Sequence, residues 1–495
     1  MAETKHFDLI VIGGGPGGYV GAIRAAQLGK KVACVERSKL GGVCLNWGCI
    51  PTKALLHTAL VYTEAFTHGK DLGFQVDPAA VKVDWSKVIG RSRDVSGKLN
   101  SGIGFLFKKN KIEHFEGHAR IESGKTAAGP CKVMVSKADS NYYKGTGASS
   151  KDDVVLTADK VLIATGAAPR ELPFAPNDGK AVISSYEALV LAERPASIVI
   201  VGSGAIGMEF AYFFNAFGTK VTVVEMLDRI LPNEDEDISK EALKSFTKQG
   251  IQFRVGAMTK AVDKTAKGVK VTIENVADKK AEAIEADKVL VAIGVTGRFD
   301  GLAAPALGLR TEKGAIVTDY MQKKDKATYA TSVPGVYAIG DVIGPPWLAH
   351  VASEEAIVAV ERMFGHESPG VHYDAIPGAT YCNPQIASVG MTERQAKEKG
   401  IDYKVGKYGL KSHGKAIADG ADEGLVKIIV SKKYGEILGA HIIGQNASEL
   451  IHEICLAKSV EATLDDIIAT MHAHPTMAES VHEAALGADG RMIHG

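Results

Sequence analysis

The sequence predicts an α/β protein with two Rossmann-like dinucleotide-binding domains followed by a C-terminal α+β domain. Three observations carry that reading. A glycine-rich strand–turn–helix pattern occurs twice, each copy closes on a glutamate at the same offset, and the hydrophobic pattern changes after about residue 366. The first copy is FDLIVIGGGPGGYVGAIRAAQLGKKVACVE (7–36) and the second SIVIVGSGAIGMEFAYFFNAFGTKVTVVE (197–225). Gly13 to Glu36 and Gly202 to Glu225 span the same distance. Each copy is followed by a similar closing strand, VLIATG at 161–166 and VLVAIG at 289–294. The expected boundaries are 1–166 and 167–294 for the two nucleotide domains, with a central segment at 295–365. That segment contains GVYAIGD (335–341), a strand with an acid at its C-terminal end. In 366–495, LVKIIV (425–430) and ILGAHIIG (437–444) read as strands and 448–459 as helix. The polar, glycine-rich stretch 123–153 reads as hairpins and loops on the first domain.

The composition narrows the function. Of 495 residues, 45% are hydrophobic and 23% charged, the balance of a globular protein. Lys+Arg and Asp+Glu are both 58, so no basic excess points to nucleic acid or an acidic membrane surface. No apolar run is long enough to span a membrane. The opening residues carry neither a signal-peptide core nor a transit-like segment, so the expected location is the cytoplasm, or the mitochondrial matrix if a transit peptide has been removed. Six cysteines are too few for a disulfide scaffold. Cys34, Cys131, Cys382 and Cys455 are isolated and are expected to be buried, inert thiols. No set of Cys and His has zinc spacing, and no metal site is expected.

In each fingerprint the three glycines have separate duties. Gly13 and Gly202 make a tight turn, Gly15 and Gly204 let the backbone approach a pyrophosphate, and Gly18 and Gly207 let helix and strand pack closely. The helix N-terminus then offers free N–H groups and partial positive charge to phosphate. Glu36 and Glu225 can each accept from an adenosine ribose. A carboxylate at Glu225 repels a 2′-phosphate and favours NAD over NADP, although Arg229 is close by in sequence.

The segment GGVCLNWGCIPTK (41–53) contains the only close cysteine pair, Cys44 and Cys49. On an unbroken helix their Cα atoms would be roughly 8–9 Å apart, too far for a disulfide. A redox pair therefore needs a helix that is distorted or that begins within the segment, and Gly48 and Pro51 allow this. Two unpaired structural thiols are the other reading of the residues alone. Lys53 follows Cys49 by four residues, on the same helix face. Near the C-terminus, His474 and Glu479 lie in HAHPTMAE (472–479); there Thr476 and Glu479 also form a T-x-x-E pattern that can simply cap a helix.

These motifs resemble the pyridine-nucleotide disulfide oxidoreductases, along essentially the whole chain, and within that class the dihydrolipoamide dehydrogenase family. The resemblance rests on both fingerprints, the cysteine segment, ATG (164–166), GVYAIGD and HAHPTMAE. It implies FAD in the first domain, at Gly13, Gly15, Gly18, Glu36, Thr165 and Gly166, with Asp341 near the ribitol and Lys53 near the flavin ring. It implies NAD in the second, at Gly202, Gly204, Gly207, Glu225 and Gly294. Lys53 would pair with Glu209. The C-terminal domain would build a homodimer in which His474, supported by Glu479, serves the Cys44–Cys49 disulfide of the other subunit. The implied substrate is dihydrolipoamide on lipoyl domains. The implied partners are the acyltransferase core of a 2-oxoacid dehydrogenase complex or the glycine-cleavage proteins. A related NAD(P)H-dependent disulfide reductase is the alternative. The chain ends RMIHG and lacks the C-terminal cysteine pair of mercuric reductase and of large thioredoxin reductase.

Overall fold

The computed structural model describes residues 5–67, 69, 72, 73, 75, 77, 81–127, 129–137, 153–303 and 305–495. Residues 138–152, about half of the stretch read as hairpins and loops, lie outside the described residues. The chain divides into two compact units. One comprises 1–52, 90–170 and 295–373, the other 53–89, 171–294 and 374–495.

The first unit is organised on a mixed sheet. Its order runs Glu113–Glu116, Val32–Glu36, Lys5–Ile12, Val154–Ile163, Cys131–Ser136, His118–Ser123, with Val336–Ala338 also paired to Val154–Ile163. The strands flanking Lys5–Ile12 run parallel to it, with Ile10 opposite Ala33 on one side and Val161 on the other. Parallel strands need a crossover, which the helix Pro16–Gln27 supplies, with its proline in the first turn. Leu9, Ile10, Val11, Val161 and Leu162 are fully buried, as a parallel sheet covered on both faces requires. Of the stretch 123–153 read as hairpins and loops, Cys131–Ser136 is a strand, paired antiparallel with His118–Ser123, which precedes that stretch, and with Val154–Ile163.

The second unit repeats the pattern. Ser197–Val201 lies between Lys220–Val224 and Lys288–Val291, all parallel, and the helix Ala205–Ala216 makes the crossover. A three-stranded antiparallel sheet, Ala257–Thr265, Gly268–Asn275 and Ala281–Ala286, follows. It had no counterpart in the sequence reading, although Val269, Val271 and Ile273 are buried at alternate positions of its middle strand. The C-terminal residues of this unit form a five-stranded antiparallel sheet. Leu425–Ser431 and Ile437–Gly444 are two of its central strands, and the helices Ala447–Ser459 and Glu479–Ala488 pack on it. Among the described residues no helix is long and apolar enough to cross a membrane.

A buried ion cluster ties parts of the second unit that are distant in sequence. Lys427, on the strand Leu425–Ser431, is 1% exposed, and its Nζ reaches Asp235 at 2.7 Å, Asp237 at 2.7 Å and Glu393 at 2.6 Å. Asp235 also caps the helix Glu236–Lys248 and accepts the Glu393 N–H. Burial alone would lower the Lys427 pKa and raise that of Asp235, but the bonds between them reverse both shifts. Replacing Lys427 by Met leaves a buried carboxylate without its cation and is expected to cost about 3 kcal/mol or more, read as a lower thermal midpoint. Since the folded Asp235 value is depressed, its contribution is present above the ordinary carboxylate value of about 4 and disappears as pH falls through the depressed one. The gap between wild type and Lys427→Met should therefore narrow on acidification; a gap that widens would contradict the assignment.

Candidate active site

The first glycine turn is fixed by contact. Gly13 has φ +103°, and a Cβ there would sit 2.3 Å from the Ala164 carbonyl oxygen. A Cβ on Gly18 would fall 1.8 Å from the Gly13 oxygen. Gly15 differs: the nearest protein atom to an added Cβ is Gly42 Cα at 3.7 Å, an ordinary contact. Packing does not demand glycine at 15, but Gly15 lines a cavity, so a ligand pressed against the backbone is what the missing side chain admits. Glu36 ends the neighbouring strand in the wall of that cavity. It accepts the Gly14 N–H at 2.6 Å and the Ser38 N–H at 2.8 Å, and burial still raises its pKa. Carboxylate, open glycine turn and helix N-terminus together fit a dinucleotide.

The same cavity gathers Thr165, Gly166, Asp341, Cys44 and Cys49. Thr165 Oγ1 donates to the Arg298 carbonyl at 2.5 Å, and burial pushes Asp341 up to about 6. Arg37, His118 and Arg298 also line it. Sequence reasoning missed all three, because each is a lone polar residue whose neighbourhood is set by strand order rather than by a motif.

The cysteine segment contains two helices. Gly42–Asn46 ends at Trp47, whose φ of −136° leaves helical geometry, and Cys49–Tyr62 begins two residues later. Cys44 thus sits in one short helix and Cys49 at the N-terminus of the next. Pro51 falls in the first turn, where no backbone donor is missed. The break brings the two cysteines close together and puts Cys49 at the start of the second helix. The remaining thiols are of another kind. Cys34, Cys131 and Cys382 are buried, Cys455 is half-buried, and burial raises all four, Cys455 to about 11.

Within the second unit, Lys53 Nζ reaches both Glu209 oxygens, at 2.8 and 2.9 Å. Glu209 is buried and accepts the Tyr381 N–H at 3.0 Å, while the Lys53 ammonium lies 4.4 Å from the Tyr381 ring centroid. Tyr381 was not foreseen. The second glycine turn copies the first, with Gly207 packed against Gly202 and space around Gly204. Gly294 follows the closing strand with positive φ. Glu225 accepts the N–H and hydroxyl of Ser203 at 2.9 and 2.8 Å and the Leu227 N–H at 2.9 Å. Arg229 lies 3.2 Å from Asp228 and 3.9 Å from Glu236, which partly neutralise it.

His474 is 80% exposed in its side chain, and its Nδ1 lies 2.9 Å from Glu479 Oε1. A carboxylate cannot donate, so Nδ1 carries the proton and Nε2 is left as the basic nitrogen. The other Glu479 oxygen accepts the Thr476 N–H at 2.8 Å. Glu479 therefore pins the turn before its helix and orients the histidine at once, but the T-x-x-E capping box does not form: the helix begins at Glu479 itself after Ala478, and the Thr476 hydroxyl donates to the Ala473 carbonyl at 2.7 Å. Burial would raise the Glu479 pKa, but Thr476 and His474 hold it below the ordinary value. His472 is a different residue in kind, turned to Glu453 at 2.9 Å.

The chain matches the family described as pyridine nucleotide-disulphide oxidoreductase over residues 7–356, and the dimerisation domain of that family over 376–485. It is 45% identical to a dihydrolipoyl dehydrogenase of Rhizobium etli, the match covering 100% of both chains. It is 41% identical to a mitochondrial dihydrolipoyl dehydrogenase of Pisum sativum, covering 98% of this chain and 92% of that one. The fold is shared with LpdA of Mycobacterium tuberculosis, at a TM-score of 0.85 and 24% identity over 97% and 99% of the two chains. Motifs, cavity and full-length similarity agree, and the chain belongs to the pyridine nucleotide-disulphide oxidoreductase family.

Proposed function

We propose that this protein is an NAD-linked, FAD-containing oxidoreductase that oxidises dihydrolipoamide to lipoamide through a Cys44–Cys49 disulfide. The observation that carries the reading is a close cysteine pair, straddling a helix break, on the wall of a dinucleotide cavity. Residues 1–166 and 295–365 are assigned to FAD, 167–294 to NAD and 366–495 to the dimer interface. Gly13, Gly15, Gly18, Glu36, Thr165, Gly166 and Asp341 would hold FAD. Gly202, Gly204, Gly207, Glu225 and Gly294 would hold NAD. Lys53, locked by Glu209, is assigned to the flavin by family resemblance. Bound FAD supplies the electron relay between the cysteine pair and the nicotinamide.

The chain's own residues perform the dithiol exchange. Nε2 of His474 takes a proton from one substrate thiol, since the thiolate is the attacking species. That thiolate attacks Cys44 Sγ, the Cys44–Cys49 bond breaks, and Cys49 leaves as a thiolate. The second substrate thiol attacks the substrate sulfur of the mixed disulfide, closing lipoamide and releasing Cys44. Two electrons have then passed from substrate to cysteine pair. Glu479 holds the histidine ring in the tautomer that leaves Nε2 as the acceptor.

The substrate would arrive on lipoyl domains, with the acyltransferase core of a 2-oxoacid dehydrogenase complex or the glycine-cleavage proteins as partners. The working compartment would be the cytoplasm or the mitochondrial matrix. The test is NAD-linked oxidation of dihydrolipoamide by the purified holoenzyme, beside NADP and glutathione controls; activity on glutathione alone would overturn the substrate assignment. Glu225 should make NAD the better nucleotide by about a hundredfold in kcat/KM, because placing like charges together costs several kcal/mol. Glu225→Ala should narrow that ratio without loss of FAD, and equal use of NADP by the wild type would refute the nucleotide assignment.

His474 is expected to complete the partner subunit's site. His474→Gln should lower lipoamide turnover by about 10²–10⁴. A mixed dimer of Cys49→Ser and His474→Gln subunits should recover about half of wild-type activity, because one of its two equivalent sites then combines an intact pair with an intact base. A mixed dimer as inactive as its parents, with flavin bound, would mean that the histidine serves its own chain.

A further inference from the structure

The helix that carries Cys44 cannot support itself. Gly42–Asn46 is five residues long, and a helix of little more than one turn lacks the hydrogen bonds to stand alone. What holds it is a set of ties through Asn46, whose side chain is buried. The Asn46 amide Nδ2 donates to the carbonyls of Leu40 at 3.1 Å and Gly42 at 2.9 Å, folding the end of the helix back on its start. Two residues of the long helix Trp85–Lys109 fasten it from outside. Asn100 Nδ2 donates to Asn46 Oδ1 at 2.7 Å, and Arg93 Nη1 donates to the Asn46 carbonyl at 2.6 Å. The Arg93 guanidinium also lies 5.7 Å from the Trp47 ring centroid, within cation–π range.

Arg93 therefore grips the segment at the helix break. Its other contact is a 3.3 Å bond to Ser92, and its buried Nη2 has no hydrogen-bond partner among the described residues. An unsatisfied buried donor on a cation is costly and calls for an explanation.

We infer that Arg93, with Asn100, is a positioning residue for the redox pair. It fixes the Asn46–Gly48 turn so that Cys44 is held at closing distance from Cys49. The inference rests on the pair being a redox disulfide, and it names residues outside the family motifs that set how readily that disulfide closes. Neither residue lines the nucleotide cavity, so the action is through the turn. A loosened turn lowers the effective concentration of one thiol at the other and makes the disulfide easier to reduce.

The test equilibrates FAD-loaded wild type, Arg93→Met, Arg93→Lys and Asn100→Ala with a dithiothreitol redox buffer. After acid quenching, the thiols at Cys44 and Cys49 are counted by maleimide labelling. Arg93→Met is expected to weaken disulfide formation about tenfold, roughly 30 mV for a two-electron couple. Arg93→Lys keeps a cationic donor and should recover most of the shift. Asn100→Ala should move it about threefold in the same direction, which keeps the test alive should Arg93→Met fold poorly. Loss of bulk stability alone would lower the thermal midpoint without moving this equilibrium in the folded, flavin-loaded fraction. Equilibrium constants for Arg93→Met and Asn100→Ala both within about twofold of wild type would overturn the inference. A wild type whose pair exchanges no thiols at all would refute the disulfide reading itself, and this inference with it.

Discussion

Five residues of unbroken α-helix hold two sulfur atoms too far apart to bond, and the site is arranged around that constraint. The chain meets it by ending one helix at Asn46 and beginning another at Cys49. The interruption has three consequences. It brings the cysteines together, it places Cys49 at a helix N-terminus, and it leaves a short helix that needs support from elsewhere. Gly48 and Pro51 make the break easy without making it rigid. Rigidity comes from Asn46 and from the residues of the long helix that bond to it. Local sequence thus permits the geometry, and tertiary contacts select it.

A second economy is the reuse of one carboxylate device. Glu36 and Glu225 each end the strand beside a glycine turn, and each accepts backbone N–H groups from the turn and from the residue two positions on. Those bonds fix the carboxylate and use part of its accepting capacity. The difference is chemical rather than architectural. The first turn opens on a cavity that also contains the cysteines. The second has Ser203 as a further donor and Arg229 held near Asp228 and Glu236. An arginine so engaged has less charge to offer a phosphate, which is consistent with the preference that Glu225 implies.

What could be read from sequence alone followed from what is local. The two fingerprints, the closing strands and the antiparallel strands near 425–444 are periodic patterns over short windows, and the fold contains them. The break at the cysteines was legible because an impossible distance is as informative as a motif. The three-stranded sheet at 257–286 was missed although its middle strand alternates Val269, Val271 and Ile273 with polar residues; its last strand, Ala281–Ala286, is mostly exposed and gives little apolar signal. Arg37, His118, Arg298, Tyr381 and Arg93 were invisible for a related reason. Each is an ordinary polar residue whose importance depends on which strand or helix lies beside it.

Glu479 shows how one carboxylate can serve two neighbours. Holding the turn and orienting the histidine would compete only if one oxygen had to do both. A carboxylate has two, and here one closes the turn at Thr476 while the other faces His474 Nδ1. The Thr476 N–H fixes the carboxylate, and the fixed carboxylate fixes the imidazole, so the structural duty is the source of the chemical one. The same logic applies at Glu209, which takes Lys53 on both oxygens and the Tyr381 N–H on one of them. In each case a charged side chain is aimed by a carboxylate that is itself pinned by backbone. That arrangement lets an exposed histidine and a long, flexible lysine act as oriented groups although neither is packed into a core.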